Sequence, residues 1–128
     1  MAKILLVDDD PLILRMYKTA FDYRGFDVET AEDGKQGLDK ILKNKYDLII
    51  FDVMMPNMDG VDLLTKIKEI PGSKNIPSIA LTNLKAAQSE EETIKEGVDR
   101  YIIKSEFKPR EIVDIAEKLL SDRVKTSV

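Results

Sequence analysis

Two short apolar runs constrain this chain more than anything else in it. Ile4-Leu5-Leu6-Val7 ends on Asp8-Asp9-Asp10, and Leu48-Ile49-Ile50-Phe51 ends on Asp52. A run without alternation is the pattern of a strand covered on both faces, as strands of parallel sheets are. An acidic side chain where a buried strand meets its loop is costly unless something uses it. In open parallel sheets, ligands bind at the carboxyl ends of the strands. Asp52 is therefore the first candidate functional residue, against a plainer reading as a turn or helix-capping aspartate. The residues after it, Met54-Met55-Pro56-Asn57-Met58-Asp59-Gly60, close on turn chemistry.

Between and beyond these runs the apolar residues recur at helical spacing. Pro11 suits the first turn of a helix over residues 11–24, with Ile13, Met16, Tyr17, Ala20 and Phe21 as its apolar stripe. Leu12 and Leu14 lie off that stripe; core packing is the plainer fate of most of these residues, and a docking patch around Leu12 and Ile13 the sharper one. Gly25 ends the helix, and residues 26–30 alternate apolar and polar like a half-exposed edge strand. Asp33 can cap a second helix carrying Leu38, Ile41 and Leu42. A third strand over 47–52 leads to a helix over 60–70 that buries Val61, Leu64 and Ile67 and breaks at Pro71-Gly72. A fourth strand over 76–81 ends at Thr82-Asn83. The helical stretch after it, 86–96, is poor in apolar residues and carries Glu90-Glu91-Glu92, the mark of a solvated, thinly anchored helix able to move. Residues 100–103 form a short last strand ending at Lys104, and Pro109 opens a final helix with Ile112, Ile115, Ala116 and Leu119. Residues 1–121 form one domain, and 122–128 read as a frayed tail. Five strands alternating with five helices make an α/β fold with a parallel sheet.

Composition removes whole classes of function. The 128 residues suffice for one domain with its own core. No window approaches the ~18 apolar residues of a membrane span, and no signal peptide opens the chain, so a cytoplasmic protein with no membrane partner is expected. Cysteine and histidine are both absent, which removes thiolate and imidazole metal sites and histidine general bases at once. Any chemistry falls to carboxylates, hydroxyls and lysines. A formal charge of −4 argues against direct nucleic-acid binding.

The ends of the first, third, fourth and fifth strands carry Asp8-Asp9, Asp52, Thr82 and Lys104. In a doubly wound sheet these ends converge on one rim. Crowded carboxylates repel, so either some are neutral or a cation sits among them, and their hard oxygens suit Mg²⁺. A hydroxyl and an ammonium beside them are what a phosphoryl group needs on its oxygens. Singly, each has a plainer role: a helix N-cap cluster for the three aspartates, a cap for Thr82, a surface position for Lys104.

Over residues 3–121 the chain resembles the receiver domain of bacterial two-component response regulators. The resemblance is carried by Ile4 through Pro11, Ala31-Glu32-Asp33-Gly34, Asp52 through Gly60, Leu81-Thr82 and Tyr101-Ile102-Ile103-Lys104. It implies a flavodoxin-like sheet in the order 2-1-3-4-5, which the edge character of the second strand and the buried character of the first and third fit independently. It also implies a signalling switch rather than an enzyme. Asp52 would accept a phosphoryl group from a phosphohistidine on a sensor histidine kinase or histidine phosphotransfer protein. Asp9, Asp52 and the carbonyl of Met54 would ligate Mg²⁺ directly, and Asp8 through water. Thr82 and Lys104 would hold the phosphoryl oxygens, and Thr82 with Tyr101 would relay the change to the face of the fourth helix, fifth strand and fifth helix. A monomer, or a weak dimer on phosphorylation, is expected, though no motif supports dimerisation through the last helices.

Three positions depart from the family pattern. Lys104 precedes Ser105 rather than proline, and a cis bond there would cost about 3 kcal/mol, so a trans loop that re-aims Lys104 is expected. Asn83 replaces a very small residue, narrowing access or adding an amide hydrogen bond. Met54 and Leu84, two beyond Asp52 and Thr82, cannot orient a hydrolytic water, so a long-lived phosphoryl state is expected. Other readings fit less well. A haloacid-dehalogenase-type aspartyl phosphatase needs a second aspartate where Met54 stands. A flavodoxin-like electron carrier needs a glycine- and hydroxyl-rich loop where three aspartates stand, and an EF-hand at 57–60 lacks its remaining ligands. The runner-up is a receiver-like module that binds partners without being phosphorylated.

Overall fold

The computed structural model of the chain describes residues 2–73, 75–83 and 88–126. Among them the elements are β1 (Lys3–Val7), α1 (Pro11–Tyr23), β2 (Asp27–Ala31), α2 (Gly34–Lys43), β3 (Leu48–Asp52), α3 (Gly60–Glu69), β4 (Ser78–Thr82), α4 (Gln88–Gly97), β5 (Arg100–Ile103) and α5 (Pro109–Thr126), with a 3₁₀ turn at Lys104–Glu106. Every strand pair is parallel, and the order is β2-β1-β3-β4-β5. The expected doubly wound sheet is the one observed. Among the described residues, no helix is long and apolar enough to cross a membrane.

The unbroken apolar runs resolve into two faces. Leu5, Val7, Ile49 and Phe51 pack toward α2, α3 and α4 through Ile41, Leu63, Ile67 and Ile94. Ile4, Leu6, Leu48 and Ile50 meet α1 and α5 through Leu14, Tyr17, Phe21, Ile112 and Val113. Each fully buried side chain of this size contributes about 1.5–3 kcal/mol, which is why both phases of these strands must be apolar. Three aspartates start helices: Asp10 accepts from Leu12 N at 2.9 Å, Asp33 from Gln36 N at 2.8 Å and Asp59 from Asp62 N at 2.9 Å. Each such cap is worth about 1 kcal/mol. Arg24, just past α1, ties it to α5 by pairing with Asp114 at 2.7 Å and with Glu117.

Several local expectations are corrected. The buried stripe of α1 is Leu14, Tyr17 and Phe21, while Met16 is exposed and Ile13 half-buried. In α2, Ile41 is buried and Leu42 is 61% exposed, because Leu42 lies a quarter-turn off the stripe that Gly34, Gly37 and Ile41 turn to the sheet. In α3 the buried set includes Leu63, and Val61 is only half-buried. Phe26 stands before β2, its ring edge-on to Phe21 at 5.6 Å. β4 begins at Ser78, after Pro77, whose ring nitrogen has no proton for the ladder. The last helix continues to Thr126, past the position where the tail was expected. Residues 86 and 87 of the expected fourth helix, and Leu84, lie outside the described residues.

Candidate functional site

Register brings the site together. Val7 pairs with Phe51, Asp52 with Leu81, and Thr82 with Ile103, so Asp8, Asp52, Thr82 and Lys104 leave the sheet at one rim. There a cleft of about 250 Å³ is lined by Asp8, Asp9, Asp10, Asp52, Met54, Asn83 and Lys104. Thr82 is fully buried at the end of β4, next to Asn83 of the cleft lining. Tyr101 is outside the cleft, opposite Ala80 in β5, with its hydroxyl buried and its ring centroid 5.3 Å from the Lys95 ammonium of α4. The structure thus gathers Asp8, Asp9, Asp52, Met54 and Lys104 in the cleft, with Thr82 buried at the same rim and Tyr101 further down β5.

The three consecutive aspartates divide their work. Asp10 caps α1 and also lines the cleft, a double role its sequence position does not reveal. Asp9 is exposed. Asp8 is buried: its Oδ1 accepts from Asp10 N at 3.0 Å and its Oδ2 lies 2.5 Å from Lys104 Nζ. Asp52, also buried, has Oδ2 3.3 Å from the same ammonium and Oδ1 3.3 Å from the Met54 backbone N–H. Helix α3 is capped by Asp59, which leaves Asp52 no capping duty. The Lys104–Ser105 peptide is trans, and Lys104, at 6% exposed, is no surface lysine.

The loop after Asp52 is shaped by two positions. Asn57 takes a φ of 69°, which asparagine tolerates better than most side chains. A β-carbon on Gly60 would lie 2.8 Å from Val53 Cα and 3.1 Å from the Asp52 carbonyl oxygen, backbone atoms that cannot turn aside. Gly60→Ala is expected to cost about 1–3 kcal/mol, as overpacking does, in urea unfolding. An unchanged midpoint would mean the loop yields freely.

Burial is the largest influence on Asp52 and raises its pKa to about 6; Lys104 pulls it down, Asp8 pushes it up, and the Met54 N–H pulls it down. For Lys104, burial disfavours the ammonium, but the bond to Asp8 and the charges of Asp52 and Asp8 outweigh it, so its pKa is raised. Oxygens of Asp8, Asp9 and Asp52 lie within 4.8 Å of one another. With one ammonium against several carboxylates the cleft carries an excess of negative charge that a divalent cation can balance, and all-oxygen donors suit a hard one. The residues present fit Mg²⁺.

A sequence profile described as the response regulator receiver domain matches residues 4–117. The chain belongs to that family. Among its relatives, the transcriptional regulatory protein SrrA of Staphylococcus aureus is 34% identical over 126 residues, which cover 98% of this chain and 51% of SrrA. The chain thus spans about half the length of that relative. A CheY-like receiver domain protein of Methanospirillum hungatei superposes with a TM-score of 0.89 at 30% identity, covering 98% of each chain. The receiver domain of a Pseudomonas aeruginosa sensor histidine kinase, 28% identical with a TM-score of 0.83 over 94% of this chain and 98% of its own, is described with a magnesium ion coordinated in its active-site cleft. As a receiver domain, this chain is a component of two-component signalling, and its acidic cleft lies where the fold places ligands.

Proposed function

We propose that Asp52 accepts a phosphoryl group and that the chain is a phosphorylation-dependent switch. The observation that carries this reading is a buried carboxylate, Asp52, 3.3 Å from a buried ammonium and crowded by two further carboxylates at the mouth of the sheet. A carboxylate with a pKa of about 6 is largely ionised at neutral pH and available as a nucleophile. Its oxygen forms a bond to phosphorus while the donor's N–P bond breaks, the imidazole keeping the electron pair and taking up a proton. Because the chain has no histidine, that imidazole belongs to a sensor histidine kinase or a phosphotransfer protein. Lys104 meets the phosphoryl oxygens with its charge. Asp8, Asp9, Asp52 and the Met54 carbonyl would hold Mg²⁺, which when bound neutralises charge on the transferring group. Leu12, 62% exposed, and Met54, 52% exposed, place apolar surface on α1 and at the cleft rim for a protein donor.

The phosphoryl group would draw the buried Thr82 hydroxyl toward it. Tyr101 is three residues before Lys104 on β5 and lies against Lys95 of α4, which supports a relay toward α4, β5 and α5. Ile94 is the described side chain that buries α4 most deeply, so a bias of a few kcal/mol suffices to shift the helix.

Incubation with Mg²⁺ and a small acyl phosphate, read by intact mass, tests the reading. One added phosphoryl group on the wild type and none on Asp52→Asn is expected; no addition to the wild type leaves the unphosphorylated partner-binding module. Met54 lines the cleft with an apolar side chain and Leu84 is apolar, so the acyl phosphate is expected to be long-lived. Met54→Asn with Leu84→Glu should shorten its half-life by about tenfold or more, on the scale of a positioned general base or water. An unchanged decay rate would sink that part of the proposal.

A further inference from the structure

At the opposite end of the sheet from Asp52 lies a groove of about 520 Å³, about twice the volume of the acidic cleft. It runs between the carboxyl ends of α2 and α3, and its floor is Ile41, Tyr46, Ile70 and Ile76, with Leu42 61% exposed at its edge. The last turns of the two helices carry Lys40, Lys43, Lys66 and Lys68, and Lys43 and Lys45 stand on the groove itself. In a chain of formal charge −4, Lys43 and Lys45 outnumber Asp47 among the charged residues that line this groove.

Polar groups at the groove are engaged within the fold. The Asp47 carboxylate accepts from Lys3 N at 2.8 Å, the Asn44 amide donates to the Lys40 carbonyl at 3.4 Å, and the Tyr46 hydroxyl donates to Glu29 at 2.9 Å. What remains is a surface of mixed polar and apolar character carrying Lys43 and Lys45, which an extended peptide with both kinds of side chain matches better than a small polar molecule, since that needs convergent hydrogen-bonding groups. A phosphate ligand is disfavoured too, because two helix carboxyl ends point their carbonyls there and repel anions close to the backbone. Lysines at the end of flexible stems can instead meet carboxylates at a distance from those carbonyls.

We propose that this groove is a second docking site, for an acidic segment of a partner protein that presents apolar anchors among aspartates and glutamates. The anchors would occupy the floor beside Leu42, and the acidic side chains would pair with Lys43 and Lys45. The site is separate from the phosphoacceptor cleft and stands or falls independently of it.

The test selects a random linear peptide library against the full chain. The enriched peptides are then titrated into ¹⁵N-labelled protein. Expected are acidic sequences with apolar anchors whose shifts map to residues 41–47, 70–73 and 76. Leu42→Asp, and Lys43→Glu with Lys45→Glu, should each weaken them about tenfold, and added salt should weaken them further. Acyl phosphate uptake should be unchanged in these variants, whose altered side chains are exposed and leave the native spectrum intact. The proposal is overturned by no enrichment, by enriched peptides that are basic or map elsewhere, or by equal affinity in all variants. Leu42-dependent binding to anionic vesicles without peptide binding also overturns it, in favour of a membrane contact.

Discussion

Asp52→Asn is expected to take up no phosphoryl group and yet to be the more stable protein at about pH 8 in metal-free buffer. Burial and Asp8 hold the Asp52 carboxyl at about 6 against an ordinary 3.8. The folded state therefore binds this proton more tightly than the unfolded chain does. Stability from the neutral acid is complete below the unfolded value and is lost as pH rises through the folded one. The difference of about two pKa units corresponds to roughly 3 kcal/mol at about pH 8. Asparagine keeps the shape and removes the charge, while Lys104 keeps Asp8 as its partner. The variant's melting temperature should exceed the wild type's by roughly 5–10 °C at about pH 8, and the gap should close below about pH 4. Mg²⁺ should narrow it from the other side, by binding the folded wild type more tightly than the variant. A thermal scan across pH with a chelator, then with Mg²⁺, decides. Equal melting temperatures at about pH 8 would mean the cluster carries no such strain.

That strain is also what made the site legible. A charged residue at the end of an apolar run contradicts the pattern around it, and such local conflict marks function more often than fold. Asp8 and Asp52 stood out for that reason. The strands were equally plain, because covering both sheet faces demands unbroken apolar runs, as β3 shows with all five residues buried. The phase of α1 was not plain. Leu12, Ile13, Leu14, Met16 and Tyr17 are all apolar, so periodicity alone admits several stripes, and contact with the sheet and α5 selects Leu14, Tyr17 and Phe21. The same surplus leaves Leu12 and Leu42 on the surface, where each borders a candidate partner site. Two facts of the cleft were out of reach of any one-dimensional pattern. Lys104 approaches Asp8 more closely than Asp52, and Thr82 is fully buried where its strand ends. The first depends on how the chain turns after β5, and a turn that follows a short strand carries little periodic signal.

The ammonium that separates the carboxylates is the other large lever. Lys104→Met keeps most of the side chain's length and removes its charge, leaving Asp8 and Asp52, both buried, without the cation that now lies 2.5 Å and 3.3 Å away. Breaking a buried pair by deleting one partner costs about 3–5 kcal/mol, and here one deletion strands two carboxylates. Lys104 has its pKa raised above 10.5, so its stabilising contribution is present at every pH below that value and is lost only in alkali. The pH dependence of the variant must therefore come from the carboxylates. At about pH 8 Asp52 must ionise beside Asp8 without the ammonium, and the loss should be full. At about pH 5 Asp52 holds its proton and much of the loss should disappear. Lys104→Arg restores a charge with a planar fork instead of a point, and should recover part of the stability at about pH 8. Acyl phosphate uptake should fall by about 10²–10³ in the methionine variant, the scale set by losing one charged donor to a developing oxyanion. Urea midpoints at the two pH values separate the explanations. A loss that is the same at both would show that Lys104 acts through packing of its stem, and one absent at both would show that the carboxylates are already neutral in the folded chain.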